Sequence, residues 1–424
     1  MLHENVERVF RQVEEMQDEI IKFTQDLIKI PTENPPGRNY PEFAELVGKK
    51  LEEFGYEVEY IEVPEELLEK LAPEGEGLPR INVMGRLKGV SEKPVIHFNG
   101  HFDVVPAGTG WSVDPYGAVI KNGRIYGRGS SDQKSGIAAQ IFAIEAIRRA
   151  GFKLKGTVEQ SATVDEETGG FAGVGYLVNK GYLTSDKVDY CIITECLNVD
   201  RICIGHRGAM WFEVKTYGKK AHGCMPKLGI NAIDRMVMLL NKINEQLRPK
   251  IEKRKTKLPV VPPEARNSSL TPTIIQAGLK VNVVPDECIV KFDRRLIPEE
   301  DTEDVWMEIL NAFSDLRKEN PQLQFEIRKL MEVKPVSVPT DTEVVKVFSE
   351  AIKNVLGKDP EFVLSPGFDD QRFPVHDGGI QQCIVYGPGI LTQAHVTDEY
   401  VLIDDLINSV KVMALATMKL LGTS

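Results

Sequence analysis

The stretch PVIHFNGHFDVVPAG, residues 94–108, decides how the rest of the chain is read. Its apolar, β-branched first half predicts a strand over 94–105, and Pro106 and Gly108 end it. His101 and Asp103 fall at the end of that strand, two residues apart and therefore on one face. In an open α/β sheet, sites form just beyond the carboxyl ends of the strands. The other strand ends are therefore where partners are sought.

Downstream, a Gly-rich loop over 127–136 carries Asp132 and leads into a helix over 137–149. A strand over 156–163 ends in Asp165-Glu166-Glu167, and after a helix near 172–180 a strand over 188–194 ends at Glu195. Upstream, Val6, Phe10, Val13, Ile20, Ile21, Phe23, Leu27 and Ile28 recur at helical steps. Pro31, Pro35, Pro36 and Gly37 break that pattern, and a helix over 41–54 and strands over 56–63 and 81–87 follow. Strands alternating with helices of this length predict an α/β sheet covered on both faces.

The texture changes near His206. Strands over 209–217, 273–276 and 287–296 surround helices over 231–247 and 304–317, which predicts a smaller α+β domain inserted at 206–330. The Lys/Arg/Pro-rich segment 250–266 reads as an exposed loop. A helix over 342–356, a strand over 382–386 and a last helix over 400–421 return to the first texture. The expected division is 1–205 and 331–424 for the first domain, with the second set between them.

At 424 residues the chain exceeds what one core usually organises. A net charge of -11 argues against a nucleic-acid or anionic-membrane partner. No run approaches the roughly 20 apolar residues a bilayer span needs, and residues 1–16 have no apolar signal core. The six cysteines form no CxxC pair, so free thiols and a cytoplasmic place are expected.

His101, Asp103, Asp132, Glu166, Glu167, Glu195 and His395 (in a loop before the last helix) would repel and desolvate one another if no cation held them. Two divalent metals sharing a bridging carboxylate would satisfy the set. Asp103 is placed to accept the second imidazole N–H of His101. Of the adjacent Glu166 and Glu167, one can ligate while the other stands off as a base. His97, mid-strand, reads as a buried structural residue, and His376 and His3 as surface or packing residues.

The runs GHFDVVPAG (100–108), GRGSSDQKSG (127–136), DEETGG (165–170), TEC (194–196) and AHVTDEY (394–400) resemble, in order, one hydrolase family. It contains acetylornithine deacetylase, succinyl-diaminopimelate desuccinylase, aminoacylase and glutamate-type carboxypeptidase. The resemblance implies a zinc-aminopeptidase-like catalytic domain with a central, mostly parallel, twisted sheet, plus an inserted α+β lid and dimerisation domain. It implies two Zn²⁺ per subunit, with Co²⁺ or Mn²⁺ able to substitute. One zinc would take His101 and Glu195, the other Glu167 and His395, with Asp132 bridging. Glu166 becomes the general base and Asp103 the partner of His101. His222, in GKKAHGCMP (218–226), becomes an oxyanion-side residue that in relatives reaches into the neighbouring subunit, so a homodimer is implied. Asn282 and Arg295 match positions that hold a substrate carboxylate, a task that suits a guanidinium fork. Arg294 is the adjacent alternative, since strand alternation turns only one of the two toward a cleft. The Asp132–Gln133 peptide is implied to be cis.

The sequence departs from the family's small turn at SPGFDD (365–370), where Phe368 follows Gly367, the expected substrate contact. The leading function is removal of an acetyl- or succinyl-type acyl group from an N-acylated amino acid such as acetylornithine or succinyl-diaminopimelate. A metallo-exopeptidase, carboxypeptidase or dipeptidase, with the same two-metal mechanism is the alternative. A binding protein on this fold should have lost a ligand or the base, and none is missing. A cysteine hydrolase built on Cys196 has no base placed for it.

Overall fold

The computed structural model describes residues 2–424, with side chains from Glu4 onward, so the reading of His3 lies outside it. The chain forms two compact units. One comprises the residues up to Gly205 with Val338–Val363 and Asp369–Ser424; the other comprises His206–Ser337 and Leu364–Phe368.

The first unit is organised by a sheet with strands β1 (Glu57–Glu62), β2 (Ile81–Leu87), β3 (Val95–His101), β4 (Thr157–Thr163), β5 (Tyr190–Ile193), β6 (Arg201–His206) and β7 (Cys383–Val385). Their spatial order is β1-β2-β4-β3-β5-β7-β6. The middle four, β4-β3-β5-β7, are parallel. Antiparallel pairs flank them, β1 with β2, β2 with β4, and β7 with β6. The sheet is thus mixed, its parallel part confined to the centre. Every residue of β3 and β4 is buried, as strands covered on both faces must be.

The helix Lys134–Arg149 packs beside β3 and against the final helix Ile403–Leu421. Its residues Lys134 to Ile147 are all buried, so it is covered on every side, and Gly136 and four alanines let neighbours approach. A Cβ on Gly136 would lie 2.2 Å from the carbonyl oxygen of Thr194. That close approach brings the start of the helix, and Asp132 before it, beside the end of β5. The expected last helix begins only at Ile403, because Tyr400–Leu402 pairs as a strand with Arg124–Tyr126.

The second unit is a four-stranded antiparallel sheet in the order Ser269–Ala277, Glu287–Leu296, Gly208–Tyr217, Phe325–Val333. Helices Ala232–Lys242 and Thr302–Glu319 contribute to its core, where Phe212 stacks on Phe292 at 4.8 Å between ring centroids. The segment 250–266 is not wholly exposed as expected: Ile251, Thr256 and Val260 are buried. Past Leu270 the edge strand is exposed at every position.

Candidate metal centre

Three neighbouring parallel strands deliver acids and an imidazole from their carboxyl ends. β3 ends at His101, β4 runs into Asp165-Glu166-Glu167, and Glu195 stands two residues past β5. Asp132 arrives from the loop before the helix Lys134–Arg149, and His395 from the loop after Leu391–Gln393. The Asp132–Gln133 peptide is cis.

These residues meet as two groups with Asp132 in common: His101, Asp132 and Glu195, and Asp132, Glu167 and His395, the ligand atoms of each within 4.8 Å of one another. Nε2 of His101 lies 2.9 Å from Oε1 of Glu195 and 3.2 Å from Oδ1 of Asp132. Nε2 of His395 lies 3.0 Å from Oε2 of Glu167 and 3.3 Å from Oδ2 of Asp132. Each oxygen of Asp132 therefore serves a different imidazole. Two carboxylates and one imidazole per group is a donor set that fits a divalent cation of borderline hardness.

Electrostatics agree with that fit. Burial, reinforced by Asp132, pushes Glu167 up to about 7. Burial raises Glu195 as well, with Asp132 adding. Glu166 is held well above the carboxylate range by burial and by Glu195, Asp370 and Glu167, against the pull of His101. Burial opposes protonation of His101, yet Glu195, Asp103 and Asp132 raise it well above the usual imidazole value. Hydrogen bonds to Asp132 and Glu167 lift His395 to about 10. Crowded acids that take up protons in this way are what a cation would neutralise.

Asp103 is fully buried and lies behind the donors. Its backbone carbonyl is 2.9 Å from Nδ1 of His101 and its carboxylate 3.3 Å. The same carboxylate accepts from the backbone N–H groups of Glu166 and Glu167, each at 3.1 Å, and so fixes the acidic turn as well as the ring. Two residues without an expected role complete this support. Arg80, buried, donates to Asp165 at 2.7 Å, and Asn34 donates to both Asp103 (2.9 Å) and Asp165 (3.1 Å). A third, Glu399, belongs to the AHVTDEY run without an expected role; it is buried against the Asp132 loop.

The expected substrate-side residues lie in the second unit. His222, exposed, pairs in register with Val283, and the Asn282 carbonyl accepts from Gly223 N at 2.8 Å, so His222 and Asn282 adjoin. Arg294 is buried and bonds Glu300, whereas Arg295 lies on the opposite face, half-buried, 3.0 Å from Asp293 and 5.8 Å from the Phe368 ring centroid. Gly367 is half-buried in the turn before Phe368. His97 is buried, with Nε2 2.8 Å from Ser161 Oγ and Nδ1 3.2 Å from Glu159, and His376 is exposed. Cys196 is buried, and burial with Asp132 and Glu195 nearby raises its thiol far above the range of a nucleophile.

Residues 97–419 match peptidase family M20/M25/M40. A metallohydrolase of Methanocaldococcus jannaschii, described as uncharacterised, is 30% identical over 93% of this chain and 98% of its own. A probable succinyl-diaminopimelate desuccinylase of Staphylococcus aureus is 27% identical over 96% and 98%. Human carnosine dipeptidase 1 shares the fold with a TM-score of 0.74 at 21% identity, over 98% of both chains. Through the match over most of its length, the chain belongs to peptidase family M20/M25/M40 and is a metal-dependent hydrolase of amide bonds.

Proposed function

We propose that the protein removes an acetyl- or succinyl-type group from an N-acylated amino acid, using two Zn²⁺ held by His101, Asp132, Glu167, Glu195 and His395. The observation that carries this reading is the pair of donor groups joined through Asp132, with Glu166 beside them and unassigned to either. The desuccinylase among the relatives supports the acyl class. When bound, the cations polarise a carbonyl and acidify water; Co²⁺ or Mn²⁺ can replace zinc at such a donor set.

The side chains of this reading divide the remaining work. Glu166, its carboxyl already biased toward protonation, takes a proton from the attacking water and returns it to the leaving amine. Asp103 holds the His101 ring and the backbone of Glu166 and Glu167 in place. His222 steadies the developing oxyanion, and Asn282, Arg295 and Gly367 hold the substrate carboxylate. The second unit is read as the lid and dimer contact. Its edge strand exposes Ile274 (45%) and Ile275 (61%), and the nearby chain exposes Leu279 (89%) and Val281 (105%), an open apolar edge suited to pairing with a second copy. Six free cysteines support a cytoplasmic place.

A turnover screen on the metal-loaded protein tests this reading. It should release acetate or succinate from acetylornithine or succinyl-diaminopimelate, and a chelator should stop it until Zn²⁺, Co²⁺ or Mn²⁺ is restored. Release of free amino acids from dipeptides, with the acyl substrates untouched, would replace the deacylase by the exopeptidase.

A further inference from the structure

Two carboxylates near the donors are spent on backbone. Asp103 holds the acidic turn, as described. Glu399 is 0% exposed and holds the Asp132 loop. Its Oε2 accepts from Nη1 of Arg128 (2.6 Å) and N of Gly129 (3.1 Å); its Oε1 accepts from N of Ser131 (2.8 Å) and N of Asp132 (3.0 Å). The adjoining backbone joins in. The Glu399 carbonyl accepts from Gly127 N at 2.9 Å, and the Tyr400 carbonyl accepts from Ser131 Oγ at 2.8 Å.

Glu399 also lies four residues after His395, on the same short segment. His395 has a left-handed backbone (φ 61) and a side chain 53% exposed, so little packing fixes it. A single buried carboxylate thus ties the loop that supplies Asp132 to the segment that supplies His395. The other group depends on it less, because His101 ends β3 and Glu195 follows β5, both anchored by the sheet.

Resting on the two-cation reading above, we propose that Glu399 is a positioning residue for the Asp132–Glu167–His395 group, setting the affinity of the cation there by fixing Asp132 and His395 in mutual reach. It does so through the four hydrogen bonds its carboxylate accepts, three of them from backbone N–H groups. An amide in its place keeps the volume but turns an NH₂ toward donors that then lack an acceptor.

The test is a calorimetric titration of the metal-free full-length protein with Zn²⁺, repeated with Co²⁺ while its visible absorption is followed. Wild type should take up two equivalents. In Glu399→Gln the second equivalent should weaken by about 10–100-fold, the range for loss of a residue that orients metal ligands, and the first by less than about 3-fold. Its kcat should fall more than its KM changes, and excess metal should restore part of kcat, a rescue that general loss of packing would not allow. Arg128→Met, which leaves the three backbone bonds, should affect the second equivalent less than Glu399→Gln does. Glu399→Asp, which keeps the charge, serves if the amide variant does not fold, and should show the same selective weakening. Equal weakening of both equivalents, or of neither, overturns the role of Glu399. A wild type that binds one cation overturns the two-cation reading itself.

Discussion

Nε2 of His101 stands 2.9 Å from Oε1 of Glu195, across the ends of two adjacent parallel strands. Since Asp132 alone is common to both donor groups, the two should fail differently. Glu195→Ala is expected to lower bound zinc from about two equivalents to about one, while Asp132→Ala should leave well under one. Elemental analysis after dialysis reads this directly, and full occupancy in Asp132→Ala would reject the bridging assignment.

Glu166 is claimed by neither donor group. Glu166→Gln should keep both metals and lose about 10²–10⁴-fold in kcat, the range for removal of a general base. Steady-state kinetics paired with metal content checks it. Near-normal turnover at full occupancy would move the proton-transfer role elsewhere.

The adjacent arginines of the second unit should part company. Arg294→Ala leaves Glu300 buried beside fewer partners and should cost about 3–5 kcal/mol in denaturant unfolding. Arg295→Ala, on the other face, should unfold normally and raise KM by about 10-fold with kcat little changed, as loss of uniform substrate binding does. The opposite pattern would exchange their roles.

Asp405, in the first turn of the last helix, is pushed from 3.8 to about 6 by burial, with Asp200 and Asp404 adding. A folded-state value above the unfolded one means that the ionised form burdens the fold. That burden is full above about pH 6 and is lifted as pH falls toward 3.8. Asp405→Asn should therefore raise Tm by about 2–4 °C at about pH 8, with the gain over wild type vanishing by about pH 4. Scanning calorimetry of both proteins at each pH decides it; a gain that grows in acid would refute the sign.

Much of the candidate centre is legible because acids and histidines gathered at the ends of β-type runs leave a local trace in the sequence. The division of those donors between two ions came from resemblance, since spacing along the chain carries no such information. What stayed hidden is whatever depends on distant pairing. Arg80 closes the run Gly75-Glu76-Gly77-Leu78-Pro79, a loop by composition, and reads as an ordinary surface cation until the fold buries it on Asp165. Tyr400–Leu402 reads as the start of a helix but is claimed as a strand by Arg124–Tyr126, far earlier in the chain. The strand Phe325–Val333 escapes notice because the charged residues Glu326, Arg328, Lys329 and Glu332 interrupt its apolar run, and only its pairing with Gly208–Tyr217 establishes it.

The donors are drawn from five separate places along the chain, and His395 is the last of them to be synthesised. Until the ribosome has released that segment, Asp132 and Glu167 have no imidazole between them, and the Asp132 loop lacks the carboxylate that ties it down. If these groups hold the cations as proposed, a product cut short before residue 395 lacks one of them and should not turn over substrate. On the two-cation reading, hydrolytic capacity therefore waits on the segment that carries both His395 and Glu399, however early the other donors are in place.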